Sequence, residues 1–424
     1  MTTPLGDLCR AGGLFRGPIF KRIYAKDAEH GVAYVSAKDL VKAEVRPSSY
    51  LSNHLGGLLE QLRLREGMIL ITCSGMNLGS VIWVRRDLDG LCGTHDLIRV
   101  VPDRDKIPAG YLYAFLASRY GNAWIRKHIY GGNIKHVEPH HLTRLPVLRL
   151  PDRVELRIDE LITSASQHRA KSSDCMQIAW DAMTATFELQ DLSESSVSTD
   201  FATFSVRSRM LQRLDAAHHH PACTKAQAEF HDCWTRSVAL AEVAGVFTPG
   251  IFKRPHVDDP ASGYAYFSGS ELFQIDPEPR GYLSKRAPGI EAYLVEKDWL
   301  LIQDAGQLGG LIGRITRVGA QVSGGVVSNH LVRVVPRSQE EAGYLFAVLT
   351  SPHGYRCITR LAFGTSIPQL DPQHIASVRI PWPPKDLRAR ISHPVMEGWR
   401  SKESAACAER EAVLLVERAV EEAV

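Results

Sequence analysis

Two short stretches concentrate the side chains suited to holding a polyanion. In Gly13-Leu14-Phe15-Arg16-Gly17-Pro18-Ile19-Phe20-Lys21-Arg22, three cations surround an aromatic ring in a segment broken by Gly and Pro. The pattern returns as Gly245-Val246-Phe247-Thr248-Pro249-Gly250-Ile251-Phe252-Lys253-Arg254. Phosphate oxygens are positioned by Lys, Arg, Ser, Thr and backbone N–H groups, often at Gly-rich turns, and neutralising them is where nucleic-acid affinity arises. Arg16, Lys21, Arg22, Thr248, Lys253 and Arg254 are therefore the first candidates for phosphate contacts. A solvated basic turn would carry the same residues.

Reading a base edge takes side chains that donate or accept in pairs. Asn77 in Ser74-Gly75-Met76-Asn77 and Gln307 in Ala305-Gly306-Gln307 offer amides suited to adenine, and an ordinary hairpin turn would offer them too. Asn133, Lys135 and His136 answer to Ser366, Pro368 and Gln369, with Thr365 beside them. The first set is the more basic, so the two would read different sequences. Ser36, Lys38, Ser74 and Ser268 complete the candidates. His95 and His330, at strand edges, read as structural histidines.

Chemistry of other kinds finds little support. His218-His219-His220 with Cys223, His231 and Cys233 lacks the tight pairs of a zinc site. Pro383-Pro384 lacks the preceding Asn or Asp of an amino-methyltransferase motif, and no GxxxxGK[ST] phosphate loop occurs. Pro102-Asp103-Arg104-Asp105-Lys106 superficially matches a nuclease cluster, but its counterpart Pro336-Arg337-Ser338 has no carboxylate, so it reads as a surface turn. No catalytic residue, metal or cofactor is expected in this chain.

What must position the candidates is a domain present twice. The basic segments lie 232 residues apart (245 − 13), and the correspondence continues through most of each half. Strands are predicted at 30–36 and 262–268, at 68–72 and 299–303, at 81–84 and 311–315, and at 94–102 and 328–336. Helices begin at Gly110 and Gly343 and run on through Gly121 and Gly354; each half then closes on a Gly-rich turn and a strand ending in Pro. Long helices follow. Val154, Ile158, Leu161 and Ala165 form a stripe that weakens and resumes at Cys175, Ala179, Met183 and Phe187; Val413, Val416, Val420 and Val424 form another. Both approximate the seam of a two-helix coiled coil. The Ser-rich stretch Asp191–Asp200 reads as a linker.

The predicted layout is a domain over 1–151, a helix over 152–190, a linker over 191–204, a second domain over 205–384 with a helical opening, and a helix over 385–424. The class is α/β (α+β), with the helices pairing as an antiparallel coiled coil. At 424 residues, 44% hydrophobic and 23% charged, the chain suits two globular domains, and its net charge of +3 leaves any nucleic-acid role to local patches. The N-terminus lacks a signal-peptide pattern, no apolar run is long enough for a membrane, and the eight cysteines include no CxxC. A cytoplasmic protein without membrane association is expected.

The order of elements resembles the DNA-specificity subunits of type I restriction–modification systems, in which two target-recognition domains alternate with helical spacers. Arg213-Leu214-Asp215-Ala216-Ala217-His218-His219-His220-Pro221 is similar to that family's Arg-Leu-Asp-Ala opening of a recognition half. Gly281-Tyr282-Leu283 and Ser328–Arg333 are similar to its central strands, and Phe363–Leu370 with Ile380-Pro381-Trp382-Pro383-Pro384 to its closing signature. The first half departs: it lacks the Arg-Leu-Asp opening and has Gly131-Gly132-Asn133-Ile134-Lys135-His136 at its closing turn. The helices are short for the family. These departures leave room for a specificity factor of a related methylation-based phage defence system.

The resemblance implies a non-catalytic subunit that reads a bipartite, asymmetric site in double-stranded DNA. Spacer helices of roughly 30 residues, at 1.5 Å each, would span on the order of 45 Å. It also implies a partner adenine-N6 methyltransferase, which would hold the S-adenosylmethionine, and in a restricting complex a nuclease/translocase subunit. Two other classes stay open: a DNA-cleaving or DNA-modifying enzyme with an unrecognised site, and a duplicated protein-interaction scaffold.

Overall fold

The computed structural model describes residues 1–424 apart from Arg46, Ser48, Met76, Ile134, 193–204, 206–212, 234–235 and 423–424. Most of the predicted linker, 193–204, and Val424 of the helical stripe lie outside the described residues. The chain divides into two compact units: residues 1–173 with 400–424, and residues 174–399.

Among the described residues the first unit holds ten strands: β1 (Thr2–Pro4), β2 (Cys9–Arg16), β3 (Tyr24–Ala25), β4 (Gly31–Val35), β5 (Ser49–Ser52), β6 (Ile69–Thr72), β7 (Val81–Trp83), β8 (Cys92–Gly93), β9 (Leu97–Pro102) and β10 (Pro146–Leu148). They form sheets ordered β2-β9-β6-β7 and β3-β5-β4-β8, and the pair β1-β10. Pairing is antiparallel except between β4 and β8.

Side-chain alternation explains why β6 and β9 are apolar almost throughout. Ile69, Ile71, Ile98 and Val100 face one core, while Leu70 and Leu97 face another. A strand covered on both faces has no polar side to show. The first core is completed by helices α1 (Ala109–Ala117) and α2 (Arg119–Lys127) and by α3 (Asp152–Phe187), through Ile158, Leu161 and Ile162. Ala412 and Val416, from the C-terminal helix Lys385–Glu422, are buried in the same core. Glu409 of that helix accepts hydrogen bonds from Tyr113 and Arg169.

The second unit holds β11 (Ser237–Ala239), β12 (Ala244–Phe247), β13 (His256–Val257), β14 (Gly263–Phe267), β15 (Gly281–Ser284), β16 (Leu300–Gln303), β17 (Ile315–Arg317), β18 (Val326–Val327), β19 (Leu331–Pro336) and β20 (Arg379–Pro381). Its sheets run β12-β19-β16-β17 and β13-β15-β14-β18, with the pair β11-β20. That is the strand order of the first unit, element for element. Leu300, Ile302, Val332 and Val334 face the helical core; Leu301 and Leu331 face the second cluster. The helices are α4 (Pro221–Asp232), α5 (Gln339–Thr350), α6 (Pro352–Thr359) and the start of α7 (Lys385–Glu422). Ala179, Met183 and Phe187 of α3 join this core with Ile391, Val395 and Trp399 of α7.

Three local expectations are corrected. The helices do not run through Gly121 and Gly354: each stops one turn earlier and a new helix starts. Ser118 and Ser351 cap the new helices, their hydroxyls accepting from Gly121 N and Gly354 N at 3.3 and 3.0 Å. A Cβ on either glycine would overlap the preceding helix, at Phe115 O or Val348 O. The strand expected at 311–315 begins only at Ile315, because Gly313 takes φ 74°, a left-handed turn conformation. The buried seam of α7 passes through Ala405, Ala412 and Val416, with Val413 beside it.

Candidate nucleic-acid interface

In the first unit, four segments meet where β2 ends. Arg16, the last residue of β2, donates from Nε to the His95 carbonyl at 2.9 Å, from Nη1 to Glu138 at 2.7 Å and from Nη2 to Asp96 at 3.4 Å. Ser74 Oγ donates to Asp96 at 2.8 Å. The closing turn is tied in by backbone: Tyr130 and His136 exchange N–H···O bonds of 3.0 and 2.8 Å, and Ser74 forms a bridge with His136. Arg16, Ser74 and His136, all expected contacts, are thus brought together. Asp96 and Glu138 were not anticipated. Two carboxylates around Arg16 leave it little charge to offer a phosphate.

Free cationic surface lies a few residues on. Lys21 and Arg22 are exposed, as are Asn133 and Lys135 at the tip of the closing turn. Arg22 lies 5.9 Å from the Tyr34 ring centroid, and the Tyr34 phenol, by charge and a hydrogen bond, holds its pKa above the usual arginine value. Asn77 is half-buried in the turn after β6, where its carbonyl accepts from the Ser80 N–H at 3.0 Å. Ser36 is employed locally: its hydroxyl bonds Asp39 at 2.5 Å and caps the short helix Ala37–Leu40, on which Lys38 is exposed.

The second unit repeats the arrangement with different chemistry. Phe363 and Gln369 exchange backbone bonds of 2.9 and 2.8 Å, and Ala305 bridges to Gln369. Gln307 Nε2 donates to the Ser366 carbonyl at 2.7 Å, joining the two turns side by side. Thr365, Ser366 and Gln369 are exposed. Thr248 stands where the first unit has Arg16, and its buried hydroxyl has no hydrogen-bond partner among the described residues. Lys253 and Arg254 are exposed. Arg254 lies 5.7 and 5.5 Å from the Phe252 and Tyr266 rings and donates to Asn329 Oδ1 at 3.0 Å. Ser268 caps the helix Gly269–Leu272 through Glu271, as Ser36 does through Asp39. His330 pairs with Asp304 at 3.3 Å; burial raises the Asp304 pKa against that partner's pull.

Beneath each set of turns is a buried arginine that sequence reasoning passed over. Arg99 on β9 and Arg333 on β19 are both 0% exposed. Arg99 donates only to carbonyls: those of Leu97 at 3.1 Å, Leu62 at 3.0 Å and Gly93 at 3.1 Å. Arg333 donates to the carbonyls of Ser328 at 3.1 Å, Leu331 at 2.5 Å and Val327 at 3.2 Å. Burial pulls both guanidinium pKa values down to about 10. A Cβ on Gly17 would lie 3.1 Å from Arg99 Nη1, so this arginine packs under the start of the basic loop. The signal was present: a lone arginine amid Leu97-Ile98-Arg99-Val100-Val101 and Leu331-Val332-Arg333-Val334-Val335 cannot face a lipid-like core without partners.

The histidine run near Arg213 holds backbone. His218 and His219 bond the carbonyls of Arg360 at 3.0 Å and Arg213 at 2.6 Å, and His220 caps α4. Arg213 grips Asp215 at 2.7 Å and the carbonyls of Leu361 and Ala362 at 2.9 and 2.5 Å. Among the described residues no group of three or more His, Cys, Asp or Glu is placed to hold a metal ion, and no helix is long and apolar enough to cross a membrane.

No family model matches the sequence, and no curated protein matches it. Solved structures do. The crystal structure of a type I restriction–modification S subunit from M. genitalium aligns over 99% of this chain and 94% of its own, with TM-score 0.40 and 12% identity. The HsdS subunit from Thermoanaerobacter tengcongensis aligns over 100% and 96%, with TM-score 0.31 and 14% identity. The chain is similar to type I specificity subunits. A third structure, described as showing assembly and conformational transition of the type I restriction–modification system, aligns over 99% and 97%, with TM-score 0.29 and 15% identity.

Proposed function

We propose that this protein is a non-catalytic DNA-specificity subunit that reads a bipartite, asymmetric target. The observation that carries the reading is internal. Two units of identical strand order each gather a basic aromatic loop, a Gly turn and a closing turn at one end of the sheet, and the side chains there differ between the units. Cationic loop residues supply sequence-independent grip; unlike polar turns supply unlike readings. One unit would therefore take one half-site and the other unit the second.

The helices α3 and α7, of 36 and 38 residues, are about 54 and 57 Å long at 1.5 Å per residue. Each contributes side chains to both cores, which supports a role as the antiparallel spacer that fixes the gap. By the sequence resemblance, the partner is an adenine-N6 methyltransferase that brings its own S-adenosylmethionine, with a nuclease/translocase subunit where the system also restricts. The assignment of domains to recognition halves, helices and linker, and a cytoplasmic location, follow the same reading.

Two experiments test it. Co-purification with the methyltransferase encoded beside it, followed by methylation mapping of host DNA, should give one gapped, asymmetric motif. Absence of both partner and motif would turn the reading towards the scaffold or enzyme class. Charge reversal at Lys21, Arg22, Lys253 and Arg254 should abolish duplex binding and leave partner binding intact, whereas neutralising all four should lower the salt slope of binding by about 3–4.

A further inference from the structure

Each basic loop carries a strongly exposed apolar residue. Ile19 is 79% exposed and Ile251 is 91% exposed, and they occupy the same place in the two repeated segments. The next residue turns inward in both. Phe20 packs against the cluster of Tyr34, Leu51 and Leu62, and Phe252 lies 3.9 Å from the Tyr293 ring centroid. These anchored rings fix the loops and force the isoleucines outward. The cations follow at once: Lys21 and Arg22, Lys253 and Arg254, all exposed.

A single exposed isoleucine needs no explanation. Two, at equivalent points and each flanked by the cations best placed for phosphates, ask for one. Isoleucine has neither donor nor acceptor, so the phosphate oxygens offer it nothing. Within reach of a loop whose cations hold the backbone, a duplex offers apolar surface in its deoxyribose C–H groups and in its bases, and of the two the bases carry sequence: a thymine methyl on the groove floor or the face of a partly opened step.

We infer that Ile19 and Ile251 are specificity-determining residues that press against base pairs, one in each half-site, while the neighbouring cations hold the strands. The inference rests on the DNA-reading function above. It assigns discrimination to apolar contact as well as to the amide and hydroxyl side chains of the turns. Burying most of one isoleucine corresponds to about tenfold in affinity.

The test uses the full chain co-purified with its methyltransferase and a randomised 40-base-pair duplex pool, with bound sequences read out. Ile19→Ala should flatten the preference at base pairs of one half-site by about tenfold, and Ile251→Ala at base pairs of the other, with the salt slope unchanged. The inference is overturned if both variants select the parental motif at parental stringency. It is equally overturned if they lose binding to all sequences alike, since the loops would then contribute grip and not reading. A parental protein that binds no duplex removes the function and the inference together, and that result is visible before any variant is made. Because both positions are solvent-exposed, the variants should fold; thermal melting of each verifies it.

Discussion

Replacing Arg99 by methionine removes a buried charge and keeps an unbranched, flexible stem, shorter by the guanidinium end. Two opposing quantities decide the outcome. Burial lowers the arginine pKa from 12.5 to about 10, and at 1.36 kcal/mol per unit the charge costs about 3 kcal/mol in the folded state. Against this stand three charge-assisted hydrogen bonds to the carbonyls of Leu97, Leu62 and Gly93, each worth roughly 1.5–3 kcal/mol, together about 4–9 kcal/mol. Methionine recovers on the order of 1–2 kcal/mol of apolar burial but offers the carbonyls nothing. The bonds win, and R99M should destabilise the first unit by about 2–3 kcal/mol. R333M should do the same to the second unit, where the geometry is equivalent. Hydrogen exchange with mass spectrometry separates the units: amides of β6 and β9 should exchange roughly 30–150-fold faster in R99M, and those of β16 and β19 in R333M. Unchanged or slower exchange in either variant would show that desolvation outweighs the carbonyl bonds, and the account of the buried arginine would be wrong.

Other perturbations follow from the same structure. Gly354→Ala places a Cβ inside the space of Val348 O and Leu349, so it should cost about 2 kcal/mol or more, read as a lower thermal midpoint. His353, buried beside Glu229 at 2.8 Å, has its pKa lowered mainly by burial, with Glu229 opposing. A histidine whose folded pKa lies below its unfolded 6.5 takes up a proton on unfolding, so its contribution is complete above pH 6.5 and is lost as pH falls through the folded value. The melting temperature should therefore fall on acidification below pH 6.5, and His353→Gln should flatten that fall; an unaltered pH profile in the variant would contradict the assignment. Arg16→Ala should reduce the salt slope of DNA binding by less than one, because Asp96 and Glu138 already neutralise this side chain, whereas Lys21→Ala should reduce it by about one.

Repetition made most of the fold readable. A strand, a Gly turn and a helix recurring at the same interval identify elements more securely than any one copy, and β4, β6, β9 and their counterparts lie where the alternation puts them. Reading failed where a local pattern hid a tertiary cause. Around Gly121 only the capping Ser118 announces a helix break, and the need for the glycine itself, the carbonyl of Phe115 lying against it, is tertiary. Arg16 and Lys21 look alike in sequence, and only the fold brings Asp96 and Glu138, 80 and 122 residues away, to one of them. Ser36 and Ser268 read as contact residues, whereas their spacing to Asp39 and Glu271 is that of a capping box. The weakening of the stripe in α3 between Ala165 and Cys175 did carry information: the helix passes from one unit to the other at residue 173.

The split of the first unit across the chain has a consequence for synthesis. Between its residue 173 and its residue 400 lie the 226 residues of the second unit (399 − 173). At about 5–20 residues per second, a ribosome needs roughly 10–45 s to cross them. Throughout that interval the nascent first unit lacks Ala412 and Val416, both 0% exposed once in place, and the core that holds Ile158 and Leu161 of α3 is incomplete. The domain that begins first is finished last. A stalled or truncated chain would therefore present a folded second unit and an unfinished first one, so that polypeptides lacking their C-terminal turns are marked for chaperone capture and proteolysis by the open core of the first unit.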